Sequence, residues 1–175
     1  MRKLVNELVY LSRMDEADSA LEMHEFNLSN TVQDVADPFI GMAEFNGKKL
    51  IVNAENDLIF CGDEAAIRRL IGILCENAVK YAPEDNDIQV PLRQSGKNIV
   101  IETENAMKEP LSEEALTHLF DRIYRADESR SKEETGGFGI GLSVARAITE
   151  KHNGTIKAKI VDDDKLQIIC TLPKH

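Results

Sequence analysis

Asp87-Ile88-Gln89-Val90-Pro91-Leu92-Arg93-Gln94-Ser95-Gly96-Lys97-Asn98-Ile99-Val100-Ile101-Glu102-Thr103-Glu104 decides the fold class. Residues 87–95 and 98–104 read as two strands joined around Ser95-Gly96, a turn signal, and so predict a hairpin. A second pair of strands, near 154–161 and 165–172, is joined by the acidic turn Asp162-Asp163-Asp164. Two short strands are expected near 49–53 and 58–61. Strands that come mostly as hairpins, instead of alternating singly with helices, predict an α+β fold. The expected architecture is a two-layer α/β sandwich, with a mixed, mostly antiparallel sheet packed on about three helices.

The helices are read outward from that hairpin. Residues 28–46 form an amphipathic pattern with Val32, Val35, Ala36, Phe39 and Ala43 on one side; Pro38 marks a kink position and Asn46-Gly47 the stop. Asp63 is a good N-cap for a helix over about 64–82, with Pro83 just past its end. A short helix begins at Ser112, with half a capping box, and another spans about 139–152, stopped by Asn153-Gly154. Residues 121–138 show little periodicity and many charges, and read as a loop longer than most connections, a candidate lid. At the N-terminus, Met1, Leu4, Leu8 and Leu11 fall at a/d spacing along a helix over 1–14. That helix is too short to stand alone and is expected to end a longer helical hairpin or coiled coil. Residues 15–27 are polar and acidic and read as a linker. No internal repeat is present.

Composition narrows the function classes. The chain has 175 residues, 42% apolar and 30% charged, which suits one soluble globular domain with a short appendage. Its net charge of −10 argues against generic nucleic-acid binding, which needs clustered cations, and against adhesion to anionic membranes. Cys61, Cys75 and Cys170 show no C-x-x-C spacing, so they read as reduced, mostly buried thiols in a cytosolic protein. No apolar run is long enough to cross a bilayer. Met1-Arg2-Lys3-Leu4-Val5 starts like a signal peptide, but Asn6 and Glu7 interrupt it.

Three motifs carry chemistry. Thr135-Gly136-Gly137-Phe138-Gly139-Ile140-Gly141-Leu142 sets four glycines at the opening of a helix, which suits backbone approach to a phosphate. It is not a Walker A loop, because Leu142 stands where the lysine is needed, and it lacks dinucleotide-fold spacing. Taken alone, the run also suits a hinge. On the helix over 64–82, Asn77, Lys80 and Tyr81 share a face through i, i+3, i+4 spacing. An amide oxygen can ligate Mg²⁺, an ammonium can meet phosphate and a phenol can pack on a base; a plain polar helix edge reads the same way. Leu119-Phe120-Asp121-Arg122-Ile123-Tyr124-Arg125, followed by Arg130 and Lys132, suits either a phosphate-sensing lid or a solvated loop with internal ion pairs.

In this order the three motifs resemble the ATP-binding catalytic domain of bacterial two-component sensor histidine kinases. That domain has the Bergerat-type fold shared with gyrase, Hsp90 and MutL. The resemblance covers nearly the whole chain. It makes 1–14 the end of a dimerisation and phosphoacceptor helix, 15–27 a linker, and 28–175 the catalytic domain, with 121–138 as the ATP lid. It implies that Asn77 holds Mg²⁺, Lys80 touches phosphate and Tyr81 lines the adenine pocket. Phe120 and Tyr124 would anchor the lid. Arg122, Arg125 and Arg130 would sense phosphate, and Gly136, Gly137, Gly139, Gly141 and Leu142 would form the phosphate-side loop. ATP and Mg²⁺ are the implied cofactors.

Three positions depart from the family's pattern. Ile73 stands where relatives often carry Asn, or in gyrase-type members a catalytic Glu, so gyrase-like hydrolysis is not expected. The glycine-rich box after the second strand of the hairpin is reduced to Thr103-Glu104-Asn105-Ala106-Met107; Asn105 would accept from the adenine amino group without a carboxylate's charge. No phosphoacceptor histidine is present: His24-Glu25 lacks the residues that should follow it and lies after the helix. His118 and His152 read as helix-end residues. The expected function is transfer of the γ-phosphoryl group of Mg·ATP to a histidine on a separate dimerisation domain, and through it to a response regulator. No catalytic side chain is assigned in this chain. The fragment is expected to be a cytoplasmic monomer from a homodimeric parent, membrane-anchored or not. The alternative is a non-catalytic, nucleotide-gated interaction module.

Overall fold

The computed structural model describes residues 2–16, 19–122 and 140–174. In chain order the elements are α1 (Arg2–Asp15), β1 (Met23–Asn27), α2 (Leu28–Phe45), β2 (Lys49–Ala54), β3 (Ile59–Asp63), α3 (Glu64–Tyr81), β4 (Asp87–Ser95), β5 (Asn98–Ala106), α4 (Glu113–Thr117), α5 (Gly141–Lys151), β6 (Thr155–Val161) and β7 (Lys165–Pro173). The main sheet has the order β2-β4-β5-β7-β6. All its pairs are antiparallel except β2–β4. That parallel pair is reached by a crossover through β3 and α3, as a parallel connection requires. The α+β, two-layer, mostly antiparallel architecture is the one expected.

The hairpin over 87–104 forms β4 and β5, with Ser95 paired to Asn98 across a two-residue turn. Gly96 takes φ +60° at its first position, the sign a II′ turn demands and a glycine supplies without strain. One face of the sheet is apolar. Ile88, Val90 and Leu92 of β4, Ile99 and Ile101 of β5, and Ile168, Cys170 and Leu172 of β7 are buried against the helices. The helices answer with Leu28, Val32 and Ala36 of α2, Ile67, Leu70, Ile71 and Leu74 of α3, and Leu142, Ala145 and Ile148 of α5. Cys75 and Cys170 are buried within this layer as free thiols, and burial pushes both up to about 12.

Caps set the helix ends where the sequence marks them. Asp63 accepts from Ala66 N at 3.0 Å, Ser112 Oγ from Ala115 N at 3.0 Å, and Asn27 Oδ1 from Asn30 N at 3.0 Å. Gly47, at φ +65°, ends α2, which runs on through Pro38. Asp63 does more than cap. Its backbone N–H donates to His152 Nε2 at 3.1 Å, and its second carboxylate oxygen accepts from Glu22 N at 3.1 Å. His152 Nδ1 lies 2.8 Å from the Ile148 carbonyl. With Nε2 accepting, the ring proton sits on Nδ1 and is donated there.

One reading of the N-terminal segment is corrected. The second half of 15–27 is not a plain linker: Met23–Asn27 pairs antiparallel with Ile59–Asp63 as a separate two-stranded ladder. On α1, the Leu4–Leu8 part of the a/d seam lies away from the catalytic body. Leu11 and Met14 are buried, whereas Leu4, Val5, Leu8 and Val9 are 45–55% exposed. Glu7 and Tyr10 share the buried side with Leu11. No helix of the described residues is long and apolar enough to cross a membrane.

Gly154 serves close approach: a Cβ there would sit 2.4 Å from the Thr171 carbonyl oxygen. The left-handed residue at that helix end is Asn153, at φ +58°. Gly41, on the exposed side of α2, has nothing within 4 Å of such a carbon. Gly154→Ala is expected to cost about 2 kcal/mol through overpacking against backbone. Gly41→Ala is expected to add about 0.5–1 kcal/mol by restricting the unfolded chain. Urea denaturation of the two variants checks the contrast in sign.

Candidate functional site

α3 and α5 lie side by side on the sheet, and the site begins where they meet. Asn77 sits four residues before the end of α3, half-buried. Its Nδ2–H donates to the Ile73 carbonyl at 2.8 Å. That bond fixes the amide, and Oδ1 accepts no hydrogen bond among the described residues. A carbon added to Gly141, the first residue of α5, would lie 3.5 Å from Ile73 Cγ2, 3.8 Å from Asn77 Nδ2 and 4.0 Å from Glu7 Oε1. Asn77 and the α5 N-terminus are therefore brought together, and a side chain on Gly141 would begin to fill the space between them.

The Ile73 side chain is 7% exposed and packs at this junction, so this position serves as packing. Lys80 is exposed, with Nζ 5.0 Å from the centre of the Tyr81 ring. Burial, with a smaller contribution from Glu76, pushes the Tyr81 phenol up to about 12. Glu76 itself turns away from Asn77 and pairs with Lys3 of α1. Beneath α3, Thr103 and Asn105 continue the helix-facing side of β5 that Ile99 and Ile101 begin. Asn105 is 5% exposed, and its Nδ2–H donates to the Ala106 carbonyl at 2.8 Å, so its Oδ1 is the atom left to accept. Leu142, in the first turn of α5, is fully buried in the core.

Phe120 packs on the edge of the core. With Leu11, Arg122, Arg146 and Ala147 it lines a cleft of about 320 Å³ between α1 and α5. Arg122 is exposed and forms an ion pair with Asp15 at the end of α1. Tyr124, Arg125, Arg130, Gly136, Gly137 and Gly139 lie outside the described residues. His24 is on exposed β1, its ring 3.4 Å from Glu64 and 3.1 Å from the Glu22 carbonyl. Hydrogen bonding to the Glu64 carboxylate, then to the Glu22 carbonyl, raises its pKa. His118 and His152 are helix C-caps. No group of three or more His, Cys, Asp or Glu residues that could hold a metal occurs among the described residues. A cation here would thus rely on Asn77 Oδ1 and on oxygens brought by its ligand, the mode Mg²⁺ favours with phosphates.

The sequence profile of the histidine kinase-, DNA gyrase B-, and HSP90-like ATPase family matches residues 62–175. The sensor protein DltS of Streptococcus agalactiae serotype III (strain NEM316) is 32% identical over 173 residues, covering 99% of this chain and 43% of DltS. The chain thus spans less than half the length of that relative. Among solved structures, full-length ShkA in complex with AMPPNP superposes with a TM-score of 0.83 at 16% identity, covering 98% of this chain and 35% of ShkA. Histidine kinase ThkA in complex with the response regulator protein TrrA gives 0.79 at 21% identity, covering 99% of this chain and 47% of that one. At these identities the structural likenesses establish the fold.

Tyr81 also yields a stability signature. A phenol whose folded pKa is raised adds stability that is complete below its unfolded value of about 10 and is lost as pH climbs through the folded value. Unfolding free energy is expected to fall between about pH 10 and the folded value near 12, and to fall less steeply in Tyr81→Phe. Chemical denaturation across that range, compared between the two proteins, reads the difference in slope.

Proposed function

The chain belongs to the histidine kinase-, DNA gyrase B-, and HSP90-like ATPase family, and on that premise we propose that it binds Mg·ATP between α3, β5 and the start of α5 and passes the γ-phosphoryl group to a histidine. The acceptor stands on a separate helical dimerisation domain, of which α1 is the end, and a response regulator takes the phosphoryl group from there. Residues 28–175 are the catalytic domain of a homodimeric sensor kinase on the cytoplasmic side. The observation that carries this reading is the Asn77 amide at the mouth of α5, its nitrogen held by the Ile73 carbonyl and its oxygen left for a cation.

Each residue then has a physical task. Asn77 Oδ1 is the protein's ligand to Mg²⁺, which neutralises phosphate charge when bound. The N–H groups at the start of α5 and the Lys80 ammonium face the phosphates. Asn105 Oδ1 accepts from the adenine amino group, and Tyr81 borders the ring. Phosphoryl transfer to an imidazole needs positioning and charge neutralisation more than an in-chain base. The apolar Ile73 supports transfer over hydrolysis, since it offers nothing to orient a water. The relatives' names and the AMPPNP complex of ShkA support the same reading.

Melting the chain with Mg·ATP, with ATP and EDTA, and as Asn77→Ala tests it. Ligand at a hundred times its dissociation constant adds about 2.7 kcal/mol, which for a domain of this size raises the midpoint by about 5–10 °C. The rise is expected with Mg·ATP and is expected to vanish with EDTA or in Asn77→Ala. A phosphoacceptor hairpin supplied in trans should then become labelled from γ-³²P ATP. No midpoint shift at millimolar Mg·ATP overturns the reading.

A further inference from the structure

α1 is docked across the phosphate end of the site. Leu11 is 2% and Met14 6% exposed, so the helix is seated by apolar burial. Arg69 stacks over the Tyr10 ring at 3.9 Å. Lys3 pairs with Glu76, the residue before Asn77. Two carboxylates of the same helix reach the groups assigned to the nucleotide. Glu7 Oε1 shares the space in front of Gly141 with Asn77 Nδ2. Asp15 holds Arg122 in an ion pair. Asp15 stands at the C-terminal end of α1, where the helix dipole disfavours an acid. Cations offset that cost from outside the helix: Arg122 at the carboxylate, and Lys151 Nζ 3.4 Å from the Glu16 carbonyl. The acids of α1 therefore answer charges on the catalytic body.

We propose that α1 is an intrachain competitor of the nucleotide: when docked as seen here, its Glu7 and Asp15 carboxylates stand where phosphate oxygens must go, so α1 docking and nucleotide binding oppose each other. The inference rests on the Mg·ATP reading above. Like charges within a few ångströms repel, so each set of anions weakens the hold of the other. Linkage makes the effect mutual: whatever docking costs the nucleotide, the nucleotide costs docking. Undocking exposes Leu11 and Met14 and removes the tertiary packing that supports α1, so its amides open more readily.

The test uses the whole chain. Mg·ATP affinity is measured by calorimetry on the parent, on Glu7→Gln/Asp15→Asn, and on Asp34→Asn/Asp37→Asn, which makes the same charge change on the exposed side of α2. Amide exchange over residues 3–14 is followed with and without nucleotide. The Glu7/Asp15 double variant is expected to bind about tenfold tighter, and the α2 variant within about twofold of the parent. Nucleotide is expected to speed exchange of the α1 amides in the parent. A parent that binds Mg·ATP while the Glu7/Asp15 variant gains nothing, or whose α1 amides become more protected on binding, overturns this inference and leaves the binding reading standing. No binding by any of the three proteins overturns both.

Discussion

Asp63 joins four parts of the chain through one residue. Its carboxylate caps α3 and takes the Glu22 N–H, and its own N–H is held by His152 at the C-terminal end of α5. α3 carries Asn77 and α5 starts at Gly141, so the two halves of the candidate site are referenced to the same aspartate. Space around it is tight: a carbon added to neighbouring Gly62 would stand 2.4 Å from the Phe60 ring and 3.2 Å from the His152 ring. Helices on a sheet can slide by a fraction of a turn at modest packing cost. A directional bond at one end of each helix fixes where along the axis it stops, which a site built from one atom on each helix requires.

The same arrangement explains what could be read from the sequence. Features that depend on a few neighbouring residues were legible: the Ser95-Gly96 turn, the Asp63 and Ser112 caps, the Asn153-Gly154 stop, and the shared face of Asn77, Lys80 and Tyr81. Features that depend on a distant partner were not. β1 reads Met-His-Glu-Phe-Asn and has no clean alternation; it is a strand because β3 offers it a ladder. The Leu4–Leu8 seam of α1 was visible as a pattern, but a pattern does not say which face meets the catalytic body. Asp15–Arg122 and Lys3–Glu76 link residues far apart in sequence and left no local trace.

Of the site itself, the sequence supplied the residue types, and the structure supplied the orientation of two amides. Asn77 and Asn105 each donate their nitrogen to a backbone carbonyl, which leaves an oxygen as the free end in both. A carboxylate presents two acceptors and needs no such constraint. An amide does, because a half-turn would exchange an acceptor for a donor. The carbonyls of Ile73 and Ala106 thus decide which end of each amide is left to accept.

The central pairing of β5 with β7 has a consequence for how the family can vary. These strands are adjacent in the sheet, yet residues 107–164 separate them in the chain. The entropic penalty for closing such a connection grows only with the logarithm of its length, about 0.6 kcal/mol for each doubling. Changes in the length of the connection between α4 and α5 therefore cost little loop entropy, since the strands on either side are anchored independently by the β4–β5 and β6–β7 hairpins, whereas Leu119 and Ile140 at its flanks are buried and fixed by the core. That connection is then the part of the chain that selection can lengthen or shorten with the least penalty to folding, while Asp63 and the helices it anchors must stay as they are.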